Sequence, residues 1–399
     1  MAQISLNDIF GGYVGKRGVF KNKNTLSIAF TPENIPHREE QIKQLGLILS
    51  PLLKSEKPSN VFIYGKTGTG KSLCMSHIVK NLNHNQDNGK LRTIYINCKM
   101  RRVSDTEYRL LSQLISFFGI DVPYTGLPTD SLYKKFFSLL KEGEENILLV
   151  LDEIDTLVKK VGDGILYNLT RINQELEKNK ITIVGISNNI SFINDVDPRV
   201  KSSLSEEEVV FPPYNASELK DILTERSQMA FSPGAVSPGV IEKCSALAAQ
   251  EHGDARKALD LLRVAGEVAE RMGNERVLKE HVDLAEKKLD TDKTLEITKT
   301  QPRQSQCVLL SIIELFRKGM KNIQTGDVFD VYTQGCKRNS LKTLTQRRVS
   351  DLISELDMFG IVNSRVISKG RYGRTREIKL NLSNEMVTKI ENFLKEELI

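Results

Sequence analysis

The chain has 399 residues, enough for two or three domains at about 150 residues each, and its composition, 39% hydrophobic and 27% charged, is that of a soluble globular protein. No apolar run approaches the roughly 18 residues of a membrane span, and the start MAQISLNDIF lacks the basic and apolar regions of a signal peptide, so a cytoplasmic protein with no membrane partner is expected. The net charge of +6 is localised, with 15 Lys and Arg against 7 Asp and Glu in residues 301–380 and 42 against 44 elsewhere, which points to a polyanion and favours nucleic acid.

Residues from about 15 to 210 alternate strand-like and helix-like patterns, which predicts a doubly wound α/β sheet. Val61–Tyr64 is the first apolar strand. Behind it, Gly65-Lys66-Thr67-Gly68-Thr69-Gly70-Lys71-Ser72 fits the G-x-x-x-x-G-K-[ST] phosphate-binding loop. Its glycines let successive N–H groups point at one anion, and the following helix, expected to about Leu82, adds the positive end of its dipole. ATP or ADP is the expected ligand, with Lys71 on the β- and γ-phosphates of the triphosphate and the Ser72 hydroxyl on Mg²⁺.

Strands are expected next at Thr93–Asn97 and Ile147–Leu151, a helix around Tyr167–Glu177, and a further strand at Ile181–Ile186. The Ile147 strand ends in Asp152-Glu153. Two adjacent carboxylates at the mouth of a buried strand fit a metal-holding acid followed by a base for the water that attacks the γ-phosphate; a solvated strand-end pair is the alternative. The Ile181 strand delivers Asn188 at the sheet edge where open α/β sheets bind ligands.

From Asn215, a capping box with Glu218 opens an all-helical segment that runs to about Lys288. Within it, HGDARKALDLLR places Ala255, Ala258, Leu259 and Leu262 on one face and Arg256, Asp260 and Arg263 on another. Arg256 in a first turn opposes the helix dipole, which a bound phosphate would relieve; a plain surface arginine is the other reading. The polar stretch KKLDTDKTLEITKTQP reads as a linker, giving domains at 1–212, 213–290 and 302–399 with a linker at 291–301.

Helical periodicity resumes at Cys307, and a helix from about Thr345 should bury Val349, Leu352, Ile353, Leu356 and Phe359 while presenting Arg347, Ser350, Asp351 and Ser354. Arg347 and Arg348 on this helix are candidates for DNA contact, although Arg347 can instead pair with Asp351 at i,i+4. Strands at Ile361–Ile367 and Arg376–Leu382, joined by SKGRYGRT, complete a winged helix. Arg365, Lys369, Arg371, Arg374 and Arg376, with Tyr372 at the tip and no acid from 364 to 376, imply phosphates nearby. Five scattered cysteines without a C-x-x-C pair and five histidines without ligand spacing predict neither a disulfide framework nor a zinc site.

The order GKTGTGKS, LLVLDEID, VGISN and GDARKALDLLR resembles the Walker A, Walker B, sensor 1 and sensor 2 series of AAA+ ATPases, and IPHREEQI, DPRVKSSL and FPPYNASEL resemble the archaeal origin-recognition and Cdc6-like replication initiators. The resemblance covers nearly the whole chain. It implies an AAA+ nucleotide-binding domain, a helical lid and a C-terminal winged helix. It also implies His37, Arg38 and Tyr214 near the adenine and Arg199 as an arginine finger; relatives often carry an arginine where this chain has Ser202-Ser203. A second DNA contact would come from an insertion matching VPYTGLPTDSLY, with Tyr124 and Thr125. By this resemblance the protein is a weak Mg-dependent ATPase that binds origin duplex DNA, recruits the replicative helicase and acts beside initiator paralogues at the nucleoid. A clamp-loader-like ATPase and a nucleotide-gated transcription regulator are the alternatives.

Overall fold

The computed structural model describes residues 18–27, 30–86, 90–100, 106–123, 126–192, 196–320, 323–339, 341–368, 374–382 and 384–398. The chain divides into two compact units, residues 1–282 and 283–399.

In the first unit, β1 (Val61–Tyr64), β2 (Leu91–Asn97), β3 (Asn146–Asp152), β4 (Ile181–Ser187) and β5 (Glu207–Val210) form one parallel sheet in the order β2-β3-β4-β1-β5. All seven residues of β3 and of β4 are buried, as parallel strands covered on both faces require. Alternation sorts β1 between two cores. Phe62 joins the cluster under α3 (Glu107–Ser116), α4 (Thr129–Glu142), α5 (Ile154–Val161), α6 (Gly164–Arg171) and α7 (Pro198–Leu204). Val61 and Ile63 join the cluster under α1 (Glu39–Leu49) and α2 (Lys71–His84). In β5, which the sequence reading did not recognise, Val209 is the only buried residue, so EEVV carries almost no apolar signal.

The register matters for function. Asn97 sits opposite Asp152, Asp152 opposite Ile186 and Tyr64 opposite Ser187, which brings the C-terminal ends of β1, β3 and β4 to one level. The helical lid follows as α8 (Ala216–Ala230), α9 (Val240–Gln250) and α10 (Ala255–Arg271), and α8 opens with the Asn215/Glu218 capping box that the sequence predicts.

An N-terminal strap also belongs to the lid in physical terms. Lys21 and Asn22 donate backbone N–H to the Ala230 carbonyl at 2.8 and 3.0 Å, Phe20 stacks on Phe231 with centroids 4.7 Å apart, and Lys23 pairs with Glu267 at 2.8 Å.

The stretch expected as a linker is helical: α11 runs over Lys279–Thr300. It contains no glycine or proline, and Leu295 and Ile297 pack on the second unit's core, so composition alone concealed a helix with an apolar anchor. Beyond it, α12 (Arg303–Arg317), α13 (Thr325–Arg338) and α14 (Gln346–Met358) lie with a sheet of order β6-β8-β7, made of β6 (Ile323–Gln324), β7 (Val362–Ser368) and β8 (Arg374–Leu380), and a closing α15 (Asn384–Leu398). Val349, Leu352, Ile353 and Leu356 are buried as expected. Phe359 is not: it caps α14 and is 47% exposed, because the helix ends one residue before it and the apolar stripe ends with the helix.

Candidate functional site

Gly68 and Gly70 take left-handed backbone (φ 71° and 93°), which places the loop so tightly that a Cβ on Gly68 would overlap the Asp254 carboxylate. The loop leads into α2, and its lysine is buried at 4% exposure. Lys71 Nζ donates to the carbonyls of Gly65 and Lys66 at 2.7 and 2.6 Å, the inner rim of the loop. Burial, partly offset by Asp152, lowers its pKa to about 8.

A cavity of about 250 Å³ opens beside this rim, and its walls include Gly68, Thr69, Gly70, Lys71, Ser72, Asp152, Glu153, Asn188, Tyr214 and Arg256. The sheet edge supplies the acids and the amide, while α10 of the lid supplies Arg256. Asp254 caps α10 by accepting the Arg256 N–H at 2.8 Å, so the arginine stands in the first turn as predicted. Asp152 is 5% exposed and accepts a hydrogen bond from the Tyr95 hydroxyl at 2.8 Å. Burial and the neighbouring Asp152 push the Tyr95 phenol well above its ordinary range, which keeps it a donor. Glu153 caps α5 in left-handed backbone (φ 56°), a conformation that costs about 1 kcal/mol or more in a non-glycine residue, and its carboxylate meets Lys99 Nζ at 3.5 Å. Ser72 and Asp152 offer hard oxygen donors on the same cavity, a set that suits Mg²⁺ and leaves its other positions to phosphate and water.

Tyr214 lines the cavity, but His37 and Arg38 are not among its walls. His37 faces outward to Asp221 at 3.1 Å, and Arg38 lies behind the phosphate loop, 2% exposed. The cavity's far end is made by residues the sequence reading missed: Phe30, Ile35, Pro36, Ile222 and Leu259, with Arg226 beside them. Arg226 donates to the carbonyls of Thr25 and Phe30 at 3.1 and 3.4 Å and lies over the Phe30 ring at 4.5 Å, which ties the strap and Phe30 to α8. Arg199 does not line this cavity. It is exposed, it pairs with Asp197 through two donors at 3.1 and 3.0 Å, and its guanidinium lies 4.9 Å from the Tyr167 ring. That pairing lowers the Asp197 carboxyl to about 2.

In the second unit, Thr345 caps α14 and Arg347 is exposed in its first turn. The i,i+4 alternative fails: Arg348, not Arg347, meets Asp351 and Glu355 at 3.9 and 3.5 Å, and Arg347 has no ion pair among the described residues. Arg347 lines a groove with Thr325, Gln346, Ser350, Val366, Thr375 and Arg376. Arg376, one of the five hairpin cations, is half-buried there and donates to Ser350 Oγ and Ser364 Oγ at 3.2 and 3.4 Å, which ties the wing to α14. Arg365 is exposed on β7 opposite Glu377. Lys369, Arg371 and Tyr372, the Arg374 side chain, and Tyr124 and Thr125 of the insertion lie outside the described residues.

Family models match the chain in series: an AAA domain over residues 54–188, a Cdc6 AAA+ ATPase-type lid domain over 220–287, and the C-terminal winged-helix domain of CDC6 over 296–390. The ORC1-type DNA replication protein of Pyrococcus furiosus is 50% identical, with 98% of this chain and 94% of that one covered. Among solved structures, the Aeropyrum pernix ORC1 protein in complex with DNA superposes with a TM-score of 0.83 at 42% identity, over 96% of this chain and 100% of that one. The ORC2 protein of the same organism, solved with ADPNP and ADP, shares the fold at a TM-score of 0.58 and 20% identity, over 95% and 99%. Half of the residues are thus held in common with a relative over almost the full length, and the lid and winged-helix models fall on the two regions where the structure places them: the chain belongs to the ORC1-type DNA replication proteins, the Orc1/Cdc6 group of AAA+ replication initiators.

Proposed function

We propose that this protein binds origin duplex DNA and helps load the replicative helicase, with ATP as its conformational switch and slow Mg-dependent hydrolysis as its reset. One observation carries the reading: groups from the sheet edge (Lys71, Asp152, Glu153, Asn188) and a group from the lid (Arg256) line one cavity, so a γ-phosphate there would bear on both parts at once. Lys71 neutralises the phosphates and Glu153 takes the proton of the attacking water; Ser72 and Asp152 would hold Mg²⁺, which would supply further positive charge at the phosphates. Asn188 orients that water. Turnover is slow because Arg199, the candidate finger, is absent from its own chain's cavity and would act on a neighbouring subunit; such fingers contribute on the order of 10³ in rate. Duplex DNA is gripped by α14 through Arg347 and by the wing cations Arg365, Lys369, Arg371 and Arg374. Arg348, Tyr372 and the insertion residues Tyr124 and Thr125 add contacts. The DNA complex of the 42%-identical Aeropyrum pernix ORC1 protein supports this part of the reading.

The test is footprinting on fragments of the protein's own genome with ATP and with ADP, alongside turnover measured across protein concentration. Protection confined to discrete sites, and turnover that rises with concentration or DNA, are expected. Uniform, site-independent protection would remove the origin reading, and turnover per subunit that never changes would remove the trans role of Arg199.

A further inference from the structure

Arg38 is a buried charge that no carboxylate pairs with among the described residues. Leaving a guanidinium in such a place is costly unless its donors are satisfied. Each of its three nitrogens donates to a backbone carbonyl: Nε to Thr69 at 2.9 Å, Nη1 to His37 at 2.7 Å and Nη2 to Pro212 at 2.6 Å. Its face lies 3.7 Å from the Tyr214 ring centroid.

Those three carbonyls belong to three different segments of the chain. Thr69 is in the phosphate loop. Pro212 lies on the segment that connects β5 to the lid helix α8, and His37 ends the segment that connects the lid-bound strap to α1. The chain therefore passes between lid and sheet domain twice, and Arg38 fastens both passages to the loop that holds the phosphates. Gly70 completes the arrangement, since a Cβ there would approach the Tyr214 hydroxyl to 2.9 Å.

We propose that Arg38 is a positioning residue that transmits occupancy of the phosphate loop to the lid, through the Thr69 carbonyl on one side and the His37 and Pro212 carbonyls on the other. It is not among the walls of the nucleotide cavity. This rests on the switch proposed above. A phosphate seated in the loop fixes the Thr69 peptide, the planar guanidinium fixes the two passages against it, and the strap and α8 follow. The planar fork matters because a lysine ammonium, though still charged over Tyr214, cannot span three separated carbonyls in one plane.

The experiment is hydrogen exchange on the full chain with and without saturating ATP, for the parent, Arg38→Lys and Arg38→Met. In the parent, ATP should slow exchange in residues 65–72 and also in α8 and the strap at 18–27. In Arg38→Lys, nucleotide affinity should fall about tenfold or more, and at saturation the loop should be protected while α8 and the strap are not. Full lid protection in saturated Arg38→Lys would overturn the proposal, whatever the variant's melting temperature, and would leave Arg38 a purely structural residue. Arg38→Met should repeat the uncoupling; if it does not fold, the lysine variant carries the test alone. No lid response in the parent would instead sink the switch itself, and with it the proposal, so the two failures are read in different proteins.

Discussion

The nucleotide cavity and the winged-helix groove both present cations, and they hold them by opposite means. In the cavity the decisive groups are buried: Lys71 is 4% exposed and Asp152 5%, and each is held by named partners before any ligand arrives. In the groove Arg347 is exposed and lacks an ion pair among the described residues. Buried groups are pre-oriented, so they discriminate between states of one small ligand. Exposed ones keep their hydration and their freedom until a large polyanion displaces both, so they contribute affinity that salt can erode.

The widest contrast should come from the cavity. Lys71→Ala is expected to abolish nucleotide binding, whereas Glu153→Gln should keep binding and lower turnover by about 10² or more, as removal of a general base does. Calorimetric binding and phosphate release measured on both variants check this; turnover by Glu153→Gln equal to the parent would take Glu153 out of the mechanism. In the groove the effects should be smaller and should depend on sequence. Arg347→Ala should cost about 1 to 3 kcal/mol on the preferred duplex and less on a scrambled one. Arg348→Ala, whose guanidinium is already shared with Asp351 and Glu355, should cost less than Arg347→Ala. Titrations at two salt concentrations separate them, and equal losses on both duplexes would make Arg347 a phosphate contact only.

The smallest effect is a pH dependence that only a buried cation can show. With its pKa lowered to about 8, Lys71 loses its charge above that pH, so nucleotide affinity should be full below pH 8 and fall by up to about tenfold per unit above it. Binding there should take up a proton, which calorimetry in buffers of different ionisation enthalpy detects. Stability runs the other way. Between about 8 and the ordinary lysine value the unfolded chain holds the extra proton, so the ligand-free fold gains stability as pH rises through this window. Affinity that is flat from pH 7 to 9 would show that Lys71 stays charged in the empty site.

How legible each region was in the sequence follows from the same contrast. The phosphate loop needs glycine where the backbone is left-handed and lysine at one spacing, so its eight residues announce it, and the acids at the end of β3 do so almost as clearly. The cavity's apolar walls are made of single residues from the segment between the strap and α1, from α8 and from α10, which share no spacing and look like ordinary core. Tyr95 is hidden for a related reason: in LRTIYIN it reads as one more strand residue, and only the β2-β3 register puts its hydroxyl on Asp152. The family resemblance implies Arg38 near the adenine; three backbone carbonyls, which no sequence displays, hold it behind the phosphate loop and outside the cavity walls. In the winged helix the charge surplus was visible, but which of two adjacent arginines is free depends on the rotation of α14 about its axis.

The strap changes what kind of motion is open to the lid. A domain joined to its neighbour by one segment can swivel about many directions, like a ball on a cord. This lid is joined by two, at residues 30–38 and 211–215, and a body held at two points turns about the line through them and about little else. Opening and closing should therefore trace a single arc, with the nucleotide cavity beside the axis. In the proposed switch, small displacements beside such an axis would become long sweeps at the outer ends of α9 and α10 by lever arm alone.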